Sequence, residues 1–150
     1  MEKKIIVASH GQMASGILSS LKIIYGESDQ VEALDCYVEK DFDLSQKIAA
    51  LMNKYANYEL IVITDIFGGS VNNEFLTYLK RKNFYLVAGL NLPLLIELVS
   101  GLNTSEPTEE WVRKTLHASK KNIQFCNDLL ERSVKEETFE IRRNYHDCTN

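Results

Sequence analysis

Two short apolar runs constrain the fold more than any other feature of this chain. Ile5, Ile6, Val7 and Ala8 are continuous and stop abruptly at Ser9, His10 and Gly11, while Ile61, Val62 and Ile63 stop as abruptly at Thr64 and Asp65. Short segments rich in β-branched residues, without alternation, are the pattern of strands covered on both faces of a parallel sheet. In such sheets function gathers just beyond the carboxyl ends of the strands. His10 and Asp65 therefore hold equivalent places. If the two strands are neighbours, an imidazole and a carboxylate meet at the rim of the sheet. Gly11 then lies beside one, and Phe67, Gly68, Gly69 and Ser70 beside the other.

The intervening segments carry helical periods. Met13, Ile17, Leu18, Leu21, Ile24 and Tyr25 recur at spacings of three and four, with Gly26 as a stop. Val31 to Val38 alternates only partly and predicts a second strand at a sheet edge. Asp43 and Gln46 stand in capping-box spacing ahead of Leu44, Ile48, Leu51, Met52 and Tyr55, which predicts a helix ending near Asn57. Glu59 to Thr64 is the third strand. Ser70 is placed to cap a helix with an inward stripe of Val71, Phe75, Leu76 and Leu79 and a basic end at Lys80 to Lys82. Phe84 to Ala88 is the fourth strand, and Asn91 and Pro93 open a helix closed by Gly101. Strand and helix alternate four times, so the expected class is α/β, a doubly wound parallel sheet with right-handed crossovers.

At 150 residues and 45% hydrophobic content, the expectation is one main domain. It spans residues 1–132, followed by a charged, mobile tail, 133–150, docked at most through Phe139 and Ile141. Within the domain, Asn122 is expected to break the C-terminal helix, and Ile123 to Leu130 to form an antiparallel edge strand. No apolar stretch approaches the roughly 20 residues of a membrane helix, and Met1 to Lys4 lead into a strand rather than a signal peptide, so direct membrane insertion is not expected and the location is read as cytoplasmic. A net charge of −4 argues against nucleic acid as a partner. Cys36, Cys126 and Cys148 are odd in number and widely spaced, which suggests neither a disulfide framework nor a zinc site; the first two are read as core and the third as tail. His117, His146, Tyr55 and Trp111 are read as surface or packing residues.

The chemistry implied at the strand ends follows from the pair. A carboxylate on one ring nitrogen holds a proton there and leaves the other nitrogen as an unprotonated nucleophile. A histidine before a glycine is by itself more often a turn residue; a second strand ending in a complementary carboxylate changes that balance. A group attached to His10 would sit against two helix starts, one after Gly11 and one at Gly69 and Ser70, where free N–H groups favour an anion. A phosphoryl group fits. The chain has no Walker-type loop, no kinase signature and no acidic pair suited to magnesium, so no metal or cofactor is expected and the phosphoryl group has to come from another protein.

These residues together resemble the mannose-type enzyme IIA domains of the bacterial sugar phosphotransferase system. Ser9-His10-Gly11 is similar to the phosphorylated-histidine motif, Asp65-Ile66-Phe67-Gly68-Gly69-Ser70 to the aspartate-aromatic-glycine-glycine-serine loop, and Ala88-Gly89-Leu90-Asn91-Leu92-Pro93-Leu94 to a third stretch. The resemblance implies that His10 accepts a phosphoryl group from the histidine phosphocarrier protein and passes it to an enzyme IIB partner, with Asp65 orienting the ring. Gly11, Gly69 and Ser70 would hold the phosphoryl oxygens. It also implies a strand order of 2-1-3-4, a homodimer and a protein-histidine phosphotransferase role. Val71 departs from the family's usual proline, a loss of rigidity rather than of chemistry. Two rivals share the motifs: the phosphocarrier part of a dihydroxyacetone kinase, and a non-catalytic module in which the phosphoryl group is only a signal. A receiver domain phosphorylated on Asp65 is disfavoured, since Ser9 and His10 stand where such domains carry acidic residues.

Overall fold

The strand runs take the places their composition predicts. The computed structural model describes residues 1–147, with side-chain surroundings through residue 138. The strands are β1 (Lys3–His10), β2 (Val31–Cys36), β3 (Glu59–Thr64) and β4 (Phe84–Ala88). The helices are α1 (Met13–Ile24), α2 (Leu44–Lys54), α3 (Ser70–Leu76), α4 (Leu92–Ser100), α5 (Thr108–Ser119) and α6 (Asn127–Asp147). All four strands are parallel, in the order β2-β1-β3-β4. Chain direction across the sheet reverses between β1 and β3, so their carboxyl ends form the switch-point crevice of a doubly wound sheet.

Side chains alternate along a strand, and here that alternation sorts the core into two layers. Ile5, Val7, Ile61 and Ile63 point to the face covered by Ala14 and Leu21 of α1, Leu94, Leu95, Leu98 and Val99 of α4, and Trp111 and Val112 of α5. Ile6, Ala8, Leu60 and Val62 point to the other face, against Ile48, Leu51 and Met52 of α2 and Val71 and Phe75 of α3. The same parity continues to the end of β1. Ser9 falls on the α1 side, where its hydroxyl accepts the Ala14 N–H at 2.7 Å. His10 falls on the α3 side.

Local capping follows the sequence closely. The Asp43 carboxylate accepts the Gln46 N–H at 3.0 Å, although α2 ends at Lys54 rather than near Asn57. Asn91 caps α4 by accepting the Leu94 N–H at 3.0 Å and donates its own amide to the Gly89 carbonyl at 3.1 Å.

Several expectations need correction. α3 stops at Leu76, and Leu76 and Leu79 are exposed rather than inward. The predicted break near Asn122 is present, with α5 ending at Ser119 and a 3₁₀ turn over Lys120–Asn122. No edge strand follows. Ile123 and Phe125 lie in an irregular, exposed segment, and Leu129 and Leu130 belong to α6. Two alternating apolar residues are outweighed by a following run of helix formers, in which Asp128 suits the helix start and Asp128/Arg132 and Glu131/Lys135 fall at i,i+4 spacing. Cys36 is buried as expected, but Cys126 is exposed. The chain forms two compact units, Met1–Ser119 and Lys120–Asn150. The docking expected of Phe139 and Ile141, the side chain of His146, and Cys148 lie outside the described residues. Among the described residues no helix is long and apolar enough to cross a membrane.

Because Asn91 satisfies a helix-start N–H and its side chain bridges back to Gly89, Asn91→Ala should destabilise the fold by about 1 kcal/mol, the usual cost of a lost N-cap. Urea unfolding monitored by far-UV circular dichroism measures it.

Candidate functional site

Strand register assembles the site. β1 and β3 pair Ala8 with Thr64, so the next residue of β3, Asp65, emerges level with the end of β1, its N–H donating to the Ala8 carbonyl at 3.2 Å. One carboxylate oxygen of Asp65 then accepts two bonds from His10, from the backbone N–H at 2.8 Å and from Nδ1 at 2.7 Å. The other oxygen accepts the Ile66 N–H at 2.9 Å. The imidazole is thereby held at both ends of its residue, and the proton on Nδ1 leaves Nε2 as the bare nitrogen. Nε2 lies 3.2 Å from Ser70 Oγ.

Burial of Asp65 would raise its carboxyl pKa, but the His10 N–H, the His10 ring and the Ile66 N–H together hold it below the ordinary carboxylate value. The side chain is 11% exposed, against 43% for His10, so the carboxylate lies behind the ring and the ring faces solvent. Asp65 is an acceptor with its oxygens committed. Cys36, the register partner of His10, has a thiol pushed up to about 11 by burial and by the negative charges of Asp65 and Asp35. It remains a protonated thiol beside the site rather than a competing nucleophile.

The loop after β3 fits closely around the ring. A side chain at position 69 would place its Cβ 2.7 Å from Ile66 Cγ2 and 3.2 Å from His10 Cε1, so the approach of loop and imidazole requires glycine there. Gly69, not Ser70, occupies the N-cap position of α3 and makes no side-chain bond, which leaves the Ser70 hydroxyl available to His10. Beneath the loop, Asn72 is 2% exposed. Its amide donates to Thr64 Oγ1 at 3.0 Å while its oxygen accepts the Gly68 N–H at 3.3 Å.

Two first-turn N–H groups of α1 have partners within the fold, that of Ala14 in Ser9 Oγ and that of Ser15 in an Asp35 carboxylate oxygen at 2.9 Å. The Asp35 carboxylate at that terminus offsets part of the positive end of the helix dipole. Gly11 turns the chain with φ of +59° and donates its N–H to the Cys36 carbonyl at 2.8 Å. His10, Asp65, Gly69 and Ser70 are brought together. Sequence reasoning passed over Tyr37, whose hydroxyl lies 2.9 Å from Ser70 Oγ, and Asn72. Both carried a signal: Tyr37 immediately follows a strand end at the same rim, and Asn72 is a polar residue between Val71 and Phe75 on a buried stripe. His117 and Trp111 are absent from the site, as read, and no group of three or more His, Cys, Asp or Glu is placed to hold a metal among the described residues.

Asp65 contributes to stability through a depressed pKa, so its contribution is complete above the ordinary aspartate value of about 3.9. It is lost as pH falls through the lower folded value. Carboxyl carbon NMR titration should show an Asp65 midpoint below those of exposed aspartates, and the stability gap between wild type and Asp65→Asn should lose its carboxylate contribution across the same interval.

Comparison with known proteins identifies a family for the chain. The pattern of the EIIA-man family, described as "PTS system fructose IIA component", matches residues 4–116. The fructose-specific EIIA component of Bacillus subtilis is 24% identical, covering 85% of this chain and 89% of that protein. The sorbose-specific EIIA component of Lacticaseibacillus casei is 26% identical, covering 91% and 99%. Among solved structures, a phosphoenolpyruvate-dependent sugar phosphotransferase system permease from Klebsiella pneumoniae superposes with a TM-score of 0.83 at 44% identity, covering 87% of this chain and 95% of that one. A IIA protein associated with the fucose utilization operon of Streptococcus pneumoniae gives 0.71 at 29% identity, covering 87% and 97%. The match spans β1 through most of α5, and the chain belongs to the EIIA-man family, the fructose, mannose and sorbose IIA components of the sugar phosphotransferase system.

Proposed function

We propose that this chain is a phosphoryl carrier that accepts a phosphoryl group on His10 Nε2 from the histidine phosphocarrier protein and delivers it to an enzyme IIB partner. The observation that carries the reading is the 2.7 Å bond from His10 Nδ1 to Asp65, which commits one nitrogen and leaves the other facing Ser70 and solvent.

The Nε2 lone pair attacks the phosphorus of the donor's phosphohistidine. An Nε2–P bond forms as the donor's N–P bond breaks, and that electron pair returns to the donor ring. The proton on Nδ1 stays in place. Positive charge developing on the His10 ring is neutralised by the Asp65 carboxylate, already in position before the reaction and held by three N–H bonds. The Ser70 hydroxyl turns from Nε2 to a phosphoryl oxygen. Transfer to the IIB partner runs the same steps in reverse on a new acceptor.

Among the described residues, no lysine or arginine is hydrogen-bonded to His10, Asp65 or Ser70. That suits a carrier, because a site that clamps an anion with fixed cations hands it on slowly. Ile66 and Phe67, the latter 82% exposed, stand with Met13 and Val38 as exposed apolar side chains on the segments leading from the strand ends, the kind of rim on which a protein donor docks. The commitment of both Asp65 oxygens argues against aspartyl phosphorylation. A dihydroxyacetone kinase subunit or a signalling module would use His10 in the same way, so the identity of the acceptor separates them.

Incubation with phosphorylated histidine phosphocarrier protein, followed by mass spectrometry under alkaline conditions, should find one acid-labile phosphoryl group on His10 and none in His10→Ala. Uptake by His10→Ala at wild-type stoichiometry overturns the assignment. Asp65→Asn should fold normally yet transfer about 10²-fold more slowly or worse, since an amide does not neutralise the ring. Rapid-quench kinetics measures that loss, and a wild-type rate reduces Asp65 to a loop cap.

A further inference from the structure

Tyr37 directly follows Cys36, the last residue of β2 and the register partner of His10. Its backbone holds φ of +65°, a left-handed conformation uncommon outside glycine and maintained where the surroundings enforce it. The ring stacks on the imidazole of His10, with centroids 5.6 Å apart and planes inclined by 30°, and meets Phe42 edge-on at 5.3 Å. Its hydroxyl is 2.9 Å from Ser70 Oγ, which is itself 3.2 Å from Nε2.

With the imidazole in the neutral form that acts as a nucleophile, valence settles the direction of every bond in this line. The Asp65 carboxylate has no hydrogen to give, so Nδ1 donates to it. Nε2 is left with only a lone pair, and Ser70 spends its single hydrogen there. Ser70 Oγ is then an acceptor toward Tyr37, and the phenol is the donor. The line reads Tyr37 O–H to Ser70 O–H to Nε2, with the ring passing its other hydrogen to Asp65.

We propose that the Tyr37 hydroxyl is a positioning residue for phosphoryl transfer at His10, acting through Ser70. The proposal rests on the carrier reading above and adds a residue that neither the motifs nor the strand-end pair contains. A serine hydroxyl alone turns among several staggered orientations. With a donor fixed on its oxygen, its hydrogen is directed toward Nε2, and the bond it makes is strengthened by the one it receives. When the Nε2–P bond forms and the donor's N–P bond breaks, Nε2 no longer accepts. Ser70 then redirects its hydrogen to a phosphoryl oxygen while still accepting from Tyr37. No proton is transferred along the line, so the phenol is neither acid nor base.

The test uses the full chain as wild type, Tyr37→Phe, Ser70→Ala and the double variant. Phenylalanine keeps the ring that stacks on His10, and circular dichroism with thermal melting checks the fold. Single-turnover phosphorylation is measured from two donors, the phosphorylated histidine phosphocarrier protein and phosphoramidate, a small donor with no docking surface. Tyr37→Phe should slow the transfer step about threefold to tenfold with both donors, the scale of one neutral hydrogen bond, and leave the half-saturating concentration of the protein donor unchanged. In the Ser70→Ala background it should cause no further loss.

A wild-type rate for Tyr37→Phe, additive losses in the double variant, or a loss seen only with the protein donor each overturns the proposal, the last by making Tyr37 a docking contact. His10→Ala serves as the control. If it takes up phosphoryl groups the carrier reading itself fails, whereas an inert His10→Ala beside a fully active Tyr37→Phe sinks only this inference.

Discussion

The pairing of β1 with β3 is the constraint on which the site depends. Parallel register sets Ala8 against Thr64, so the two strands run out of ladder together and release His10 and Asp65 side by side. Everything chemical follows from one carboxylate oxygen taking both the backbone and the ring N–H of the same residue. The strands below are buried on both faces, and that makes the placement rigid: shifting either strand by one residue would send each side chain into the opposite packed layer. The hydrophobic effect and the site are thus not separate achievements of the sequence, since the residues that bury the sheet also aim the imidazole.

Much of this was legible before any coordinates. Continuous β-branched runs announced buried parallel strands, and the polar residues that ended them announced the rim. Asp43 and Asn91 behave as their spacing predicts because an N-cap is a local bond between near neighbours in sequence. What escaped was non-local. Nothing in the residues around Met13 says that Ser9 and Asp35 accept the N–H groups of Ala14 and Ser15, because Asp35 arrives from a different strand. Tyr37 escaped for the same reason, its partner Ser70 being 33 residues away. The segment from Ile123 failed differently: two alternating apolar residues fit a strand, but the charged helix formers downstream decided its neighbours.

The chemistry asked of such a site differs from that of a phosphatase or kinase. A carrier needs an intermediate neither too stable nor too labile, and it needs no metal to activate water or a nucleotide. In the carrier role proposed above, a preorganised carboxylate behind the ring and neutral hydroxyls in front would supply that balance, with charge placed where it acts on the nucleophile rather than on the cargo. The relatives carry names of different sugars, fructose and sorbose among them. On the proposed reading the rim handles only a phosphoryl group, and such a rim has no means of distinguishing those sugars.

The alternation along β1 carries a cost in evolution. Ser9 anchors one helix and His10 serves the opposite face only because they are consecutive residues of a strand whose side chains alternate. An insertion or deletion of one codon anywhere between Lys4 and Ser9 would exchange the two faces, setting the imidazole against α1 and the serine toward the loop. It would also exchange Ile5 and Val7 with Ile6 and Ala8 between two packed core layers. The gene can therefore exchange residues within β1, but it has no gradual route to changing that strand's length, and the spacing from the start of the ladder to the histidine is locked more tightly than most of the residues that compose it.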